Sequence, residues 1–332
     1  MKDDPRWEPV EPTAPPSGPR PLRLGQVLEI GLRILRRHWA VVLVLALLFA
    51  GPGALLTSAT GLRFTEVVSD VLGLETGVLD VDTGLVVTEA QLERVLAAVV
   101  PFLAATFLAG VLLSIGALVF SAVVVEDYHA RRPALGPSLR AGLRRAPSAV
   151  GFMLLTSLIT VGVILAGLLA MSVATIILPT SSVSAGGPGV FLALVAGVAM
   201  VVALVYLSMR WAPAFPAMVE EDVGAMQAFR RSWHLSGDNV WRTFALLLFA
   251  GLVAALGGSI VAQLATLVMV DGLAPTLGLD ELVASTIALA LGSVLLSPLM
   301  PVLTAVLYFD LRARRDAPDL DDVARQRPVE TL

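Results

Sequence analysis

The sequence predicts an all-α fold, a polytopic membrane helical bundle of six transmembrane helices with amphipathic helices at its surface and a 2+2+2 internal repeat. Three observations predict it. The 332-residue chain is 56% hydrophobic, has a mean hydropathy of +0.83 and is only 15% charged. An ordinary soluble domain is about 45–50% apolar and about 25% charged. No interior of a chain this long hides the difference, so lipid must be the solvent for much of it. Six apolar stretches each reach the ~20 residues that cross a hydrocarbon core of ~30 Å. Finally, the basic residues gather in alternate connecting segments.

Residues 1–21 carry seven prolines, from Pro5 to Pro21, and predict a disordered cytosolic tail. The first apolar run starts too late for a signal peptide. From Leu22 to Arg37 the pattern changes: Leu24, Val27, Leu28, Ile30 and Leu35 interleave with Arg23, Glu29, Arg33, Arg36 and Arg37. That pattern reads as an amphipathic helix in the interface, opening a six-span domain over 22–315. The spans fall at 39–59, 96–125, 149–178, 190–218, 243–270 and 284–309, and residues 316–332 form a cytosolic C-terminal tail. Thr88 and Gln91 make a capping box that starts the second helix before it enters lipid. Pro52, Pro101, Pro298 and Pro301 lie within spans, where bundles tolerate kinks.

Orientation follows from the basic residues. The two tails and the segments 126–148 and 210–242 hold twenty-one of the 23 Lys and Arg residues, against two (Arg63 and Arg94) in the alternate loops. Both termini are therefore expected in the cytosol. The first outer loop is acidic instead, with Glu66, Asp70, Glu75, Asp80, Asp82, Glu89 and Glu93.

The second and sixth spans end alike. VFSAVVVEDYHARR (119–132) and VLTAVLYFDLRARR (302–315) share seven of fourteen positions without a gap, Asp127 with Asp310 among them. Arg-Arg pairs precede the odd-numbered spans at Arg36–Arg37, Arg144–Arg145 and Arg230–Arg231. Three copies of one unit, an interfacial helix followed by two spans, account for both patterns.

These six arginines and Arg210 are the candidate contacts for lipid or a protein partner. Arg210 follows twenty mostly apolar residues and precedes nine more that are apolar or aromatic. Either it lies deep and needs a carboxylate or phosphate partner, or the span ends near Met209 and Arg210 snorkels beside Trp211 while Pro213 and Pro216 bend the chain. The acidic residues at the inner span ends, Glu126, Asp127, Glu220, Glu221, Asp222 and Asp310, are expected to pair with arginines one turn on, as Asp127 with Arg131 and Asp310 with Arg314.

Chemistry-bearing patterns are few. The absence of cysteine removes disulfides and thiolate chemistry. His38, His129 and His234 lack metal-ligand spacing. Gly186, Gly187 and Gly189 lack the lysine and context of a phosphate-binding loop. No catalytic, metal or cofactor site and no nucleic-acid partner is expected.

RWAPAFPAMVE (210–220), AFRRSWHL (228–235) and the following Trp241-Arg242 resemble the glycerophosphoryl diester phosphodiesterase membrane-domain family and related six-span prokaryotic proteins. The opening LRLGQVLEIG (22–31) and closing LYFDLR (307–312) are similar too. The resemblance implies the six-span topology and a prokaryotic cell membrane. Some members of that family carry a separate phosphodiesterase barrel, for which this chain has no soluble stretch long enough, so the resemblance implies no catalytic residue here. The expected function is a non-enzymatic scaffold or partner subunit that meets anionic lipid, or a membrane or cytosolic protein, through its basic cytosolic face. A transporter or permease subunit is the alternative, and an intramembrane enzyme ranks third.

Overall fold

The computed structural model describes residues 22–71, 88–177, 187–237 and 239–326, with side chains as far as Asp316. The expected tail over 1–21 lies outside the described residues. Among the described residues every regular element is helical: α1 Leu24–Arg37, α2 Trp39–Val71, α3 Glu89–Tyr128, α4 Leu135–Arg144, α5 Ala146–Ile177, α6 Pro188–Trp211, α7 Ala214–Glu220, α8 Ala225–Ser236, α9 Val240–Thr266, α10 Ala274–Leu277, α11 Glu281–Leu296 and α12 Leu299–Gln326. A π-helical turn, Leu267–Leu273, joins α9 to α10. Six stretches are long and apolar enough to cross a membrane: α2, α3, α5, α6 with α7, α9 through α10, and α11 with α12.

The spans begin close to where the sequence puts them, because the local signals are strong. The capping box forms at α3: Gln91 N–H donates to Thr88 Oγ1 at 3.3 Å, and Thr88 N–H donates to Gln91 Oε1 at 2.9 Å. Asp280 caps α11 by accepting from Leu282 N–H at 2.9 Å. Gly278, at φ +66°, supplies the left-handed turn that ends α10.

The helices are longer than the predicted spans. After residue 59 no proline stops α2, and it continues to Val71, while α3 already starts at Glu89. A stacked Phe64–Phe102 pair (5.0 Å between centroids) and an Arg94–Asp70 ion pair (3.3 Å) tie these extensions together. Pro52 and Pro101 sit inside unbroken helices, whereas Ser297–Pro298 separates α11 from α12. At the far end α12 runs through the expected domain boundary at 315 as far as Gln326.

Packing follows the repeated unit. Each pair of spans forms a contacting hairpin, α2 with α3, α5 with α6 and α9 with α11. The hairpins meet in a ring, since α3 touches α5, α6 touches α9 and α11 touches α2. The surface helices obey the same cyclic rule. Helix α4 lies on α3, α8 on α6 and α7, and α1 on α12, so each rests on the last span of the unit before it. Glycine permits two of these close crossings: a Cβ on Gly142 would strike Val119, and one on Gly31 would strike Leu303. The largest core joins the first and last units, with Val27, Leu45, Val123, Leu235, Leu246, Leu303, Leu307 and Tyr308 fully buried.

Between α9 and α11 the backbones approach through small residues. A Cβ on Gly292 would come within 2.6 Å of the Gly258 carbonyl oxygen and 2.9 Å of the Ala262 nitrogen. Close backbone contact of this kind is how apolar helices associate where no hydrophobic force acts between them. Gly251, on the same α9, has open space at the corresponding position. Gly292→Ala should therefore destabilise by about 1–3 kcal/mol through overpacking, while Gly251→Ala should be neutral or stabilising by up to about 1 kcal/mol. Thermal unfolding of the two variants in detergent checks the contrast.

Candidate functional site

All the segments rich in arginine lie on one face of the bundle, together with the first described residues and the end of the last span. Three clasps repeat there. At the α1–α2 junction, His38 Nε2 and Arg37 reach Asp127, near the end of α3, at 3.0 and 3.5 Å. At the α4–α5 junction, Arg145 and Arg144 both pair with Asp222, just after α7. At the start of α9, Arg242 Nε donates to Asp310 Oδ2 on α12 at 2.8 Å. In each unit a base at the entry of the first span holds an acid near the exit of the second, so the clasps carry the 2+2+2 repeat into the electrostatics.

Asp310 is the most buried of these groups, with no side-chain exposure. Its Oδ1 accepts from the Leu22 N–H at 2.6 Å, and Arg314 Nε joins Arg242 at Oδ2 at 3.1 Å. The second nitrogens of both arginines donate to the Leu22 carbonyl, at 2.5 and 2.7 Å. The expected Asp310–Arg314 pair thus forms, but inside a larger node. The expected Asp127–Arg131 pair is not among the ion pairs of the described residues, because α3 ends at Tyr128 and Ala130 turns the chain away at φ +55°.

A second node clamps the turn between α7 and α8. Arg231 Nε binds Glu221 at 2.8 Å and its Nη2 binds Asp316 at 2.6 Å. Tyr308 donates to Glu221 at 2.7 Å, and Arg312 binds Glu220 at 3.0 Å. His129 adds a 3.2 Å contact to Glu220. Burial pulls the Arg231 pKa down, but hydrogen bonds and charge from Asp316 and Glu221 outweigh it and hold the pKa above its ordinary value.

The seven candidate arginines therefore divide. Arg145 and Arg231 are partly buried and committed to acids of the fold. Arg36 and Arg230 are exposed and make no ion pair with a described residue, and Arg37 and Arg144 keep most of their side chains exposed. Arg210 takes a third role at the end of α6. Its Nε and Nη2 donate to Tyr206 Oη at 2.9 and 2.7 Å, and Nη1 donates to the Trp233 carbonyl at 3.0 Å. The guanidinium carbon lies 5.2 Å from the Tyr206 ring centroid and 4.8 Å from that of Trp233. Helix α6 stops at Trp211 and α7 resumes after Pro213, so Arg210 lies at an internal helix end.

Beside α6 lies a cavity of about 630 Å³ between α3, α5, α7, α9 and α12. Phe152, Met153, Trp211, Phe215, Phe244 and Met300 dominate its wall. Its hydroxyls are already engaged: Ser114, Thr156, Ser208 and Thr304 each donate to a carbonyl of their own helix. Among the described residues no group of three or more His, Asp or Glu side chains is arranged to hold a metal ion.

Spacing could not have revealed the roles of Arg242, Glu221, Tyr308 and Asp316, because their partners lie on other helices. The one available signal was the alignment of Asp310 with Asp127, which marks a recurring acid at the span exit.

Ring and clasps together define a polytopic α-helical membrane protein whose ion pairs, Arg94–Asp70 apart, gather on one face. Residues 190–316, from α6 into α12, match the family described as the membrane domain of glycerophosphoryl diester phosphodiesterase. The resemblance carried by 210–220, 228–235 and 307–312 thus holds over that stretch. Comparison with curated proteins and with solved structures gives no match.

Removing the Asp310 carboxylate would leave two arginines facing a buried site without their anion. Asp310→Ala should cost about 3–5 kcal/mol. Glu29→Gln, which breaks the largely exposed Arg33–Glu29 pair on α1, should cost less than about 0.5 kcal/mol. Denaturant midpoints in a single detergent compare the two.

Proposed function

We propose that this chain is a non-enzymatic integral membrane protein, a scaffold or partner subunit whose basic face lies in the cytosol and binds anionic lipid headgroups. One observation carries the reading. The surface helices α1, α4 and α8 rest on neighbouring spans and turn Arg36, Arg37, Arg144 and Arg230 outward on the same side. Arginines at a membrane surface attract anionic lipid at about 1 kcal/mol each. The bias of basic residues to this side supports a cytosolic location by the positive-inside rule. The apolar cavity, with its hydroxyls engaged, offers little to a hydrophilic cargo and weighs against the transporter alternative.

The absence of cysteine makes orientation simple to test. Met226→Cys on α8 should react with an impermeant thiol reagent only from the cytosolic side, and Glu93→Cys on α3 only from outside; the opposite pattern inverts the assignment. For the lipid reading, Arg36→Gln, Arg37→Gln, Arg144→Gln and Arg230→Gln are combined. Enrichment of phosphatidylglycerol over phosphatidylcholine around the reconstituted protein should fall at least severalfold, and unchanged enrichment rules the reading out.

A further inference from the structure

Arg210 differs from four other partly buried arginines on the basic face. Among the described residues no carboxylate lies within ion-pair distance of it, although Arg145, Arg231, Arg242 and Arg314 all have one. Its hydrogen bonds use three of its five N–H groups on neutral oxygens, which leaves donors and a full positive charge to spare.

Its position on α6 matters as much. Gly197 and Met200 of α6 face α5, where they meet Met171 and Gly167. Val205, Met209 and Ala212 line the cavity. At about 100° per residue, Tyr206 and Arg210 fall on the next face round, away from α5 and towards α9. The Arg210 guanidinium indeed approaches Gly237, at the turn into α9, closely enough to lie 3.6 Å from a Cβ placed there. Arg210 therefore sits at the basic end of the seam between α6 and α9. Of the side chains lining the cavity, Val205 and Ser208 on α6 and Leu248 on α9 are exposed, so the cavity opens between these two helices.

We propose that this seam is a specific site for one anionic phospholipid, with the phosphate on the Arg210 guanidinium and an acyl chain passing between α6 and α9 into the apolar cavity. The cavity lies within the usual ligand-pocket range of about 300–1,000 Å³. Its wall of aromatic and methionine side chains suits a flexible hydrocarbon chain. A guanidinium is the side chain best matched to phosphate oxygens, and exposed Trp233 and Trp241 on the same side suit the headgroup level of a bilayer. The proposal deepens the anionic-lipid reading but uses none of the outward arginines on which that reading rests, so the two fail separately.

The test is native mass spectrometry of the full chain in detergent, titrated with phosphatidylglycerol or phosphatidylcholine. The wild-type protein should retain one phosphatidylglycerol at concentrations where phosphatidylcholine is lost. Arg210→Gln should weaken that retention about tenfold or more. Ser208→Phe, which narrows the mouth without touching a charge, should weaken it comparably. Both variants must unfold at the wild-type temperature without lipid, and Ser208→Ala should restore binding. Should Ser208→Phe bind normally, or glycerol 3-phosphate compete as well as the intact lipid, the site holds a headgroup alone and the proposal is wrong. Equal retention of both lipids, or loss only in the Arg36, Arg37, Arg144 and Arg230 combination, overturns it as well.

Discussion

The carboxylate of Asp310 constrains this structure more than any other group. It has no exposure to solvent, so its charge must be met by donors within the fold. Those donors come from three places: the Leu22 backbone where the first unit begins, Arg242 at the entry of α9, and Arg314 one turn along α12. The node ties residues 288 positions apart and so closes the ring between the last unit and the first. The arginines also bind the Leu22 carbonyl, so both polar groups of that peptide end are satisfied before α1 starts.

A ring of similar apolar hairpins needs such devices. Van der Waals packing between lipid-solvated helices discriminates weakly between partners, because one apolar face fits another about as well as it fits lipid. Fixed polar pairs discriminate strongly, since a wrong neighbour leaves charges unpaired. The clasps of Asp127, Asp222 and Asp310 each bind the two spans of one unit, whereas the contact of Leu22 with Asp310 and that of Ser138 with Glu126 (2.8 Å) join one unit to the next. Intra-unit and inter-unit contacts therefore share the span exits, and the order of units is set where the charges are rather than in the membrane interior.

The topology was legible in the sequence because membrane physics leaves few choices: a long apolar run must be a helix, and its ends are marked by arginine, tryptophan and capping residues. The repeat was legible from the aligned exits at 119–132 and 302–315. What could not be read were the partners. Arg231 looked equivalent to Arg37 and Arg145, yet it lies inside α8, clamps Glu221 and Asp316, and leaves its junction role to Arg242. Asp127 looked like a partner for Arg131 at i+4, but helical spacing has no force once α3 has ended. Both errors arise where a local pattern competes with a contact between separate helices, and sequence distance carries no information about the latter.

The same comparison shows where the threefold pattern gives way. The second unit's hairpin, α5 with α6, is only 6% buried over its apolar window on each span, against 33% for α2 and 50% for α3. Its exit is also interrupted, because Pro213 splits the helix into α6 and α7. The break leaves Arg210 at an internal helix end, stacked between Tyr206 and Trp233 and without a carboxylate among the described residues, while the loosely packed α6 leaves the cavity beside it. Had α6 and α9 packed like α9 and α11, through facing glycines, the backbones would close that space. The departure from symmetry is thus what sets the Arg210 guanidinium beside an apolar cavity, and a site for an amphiphile requires both.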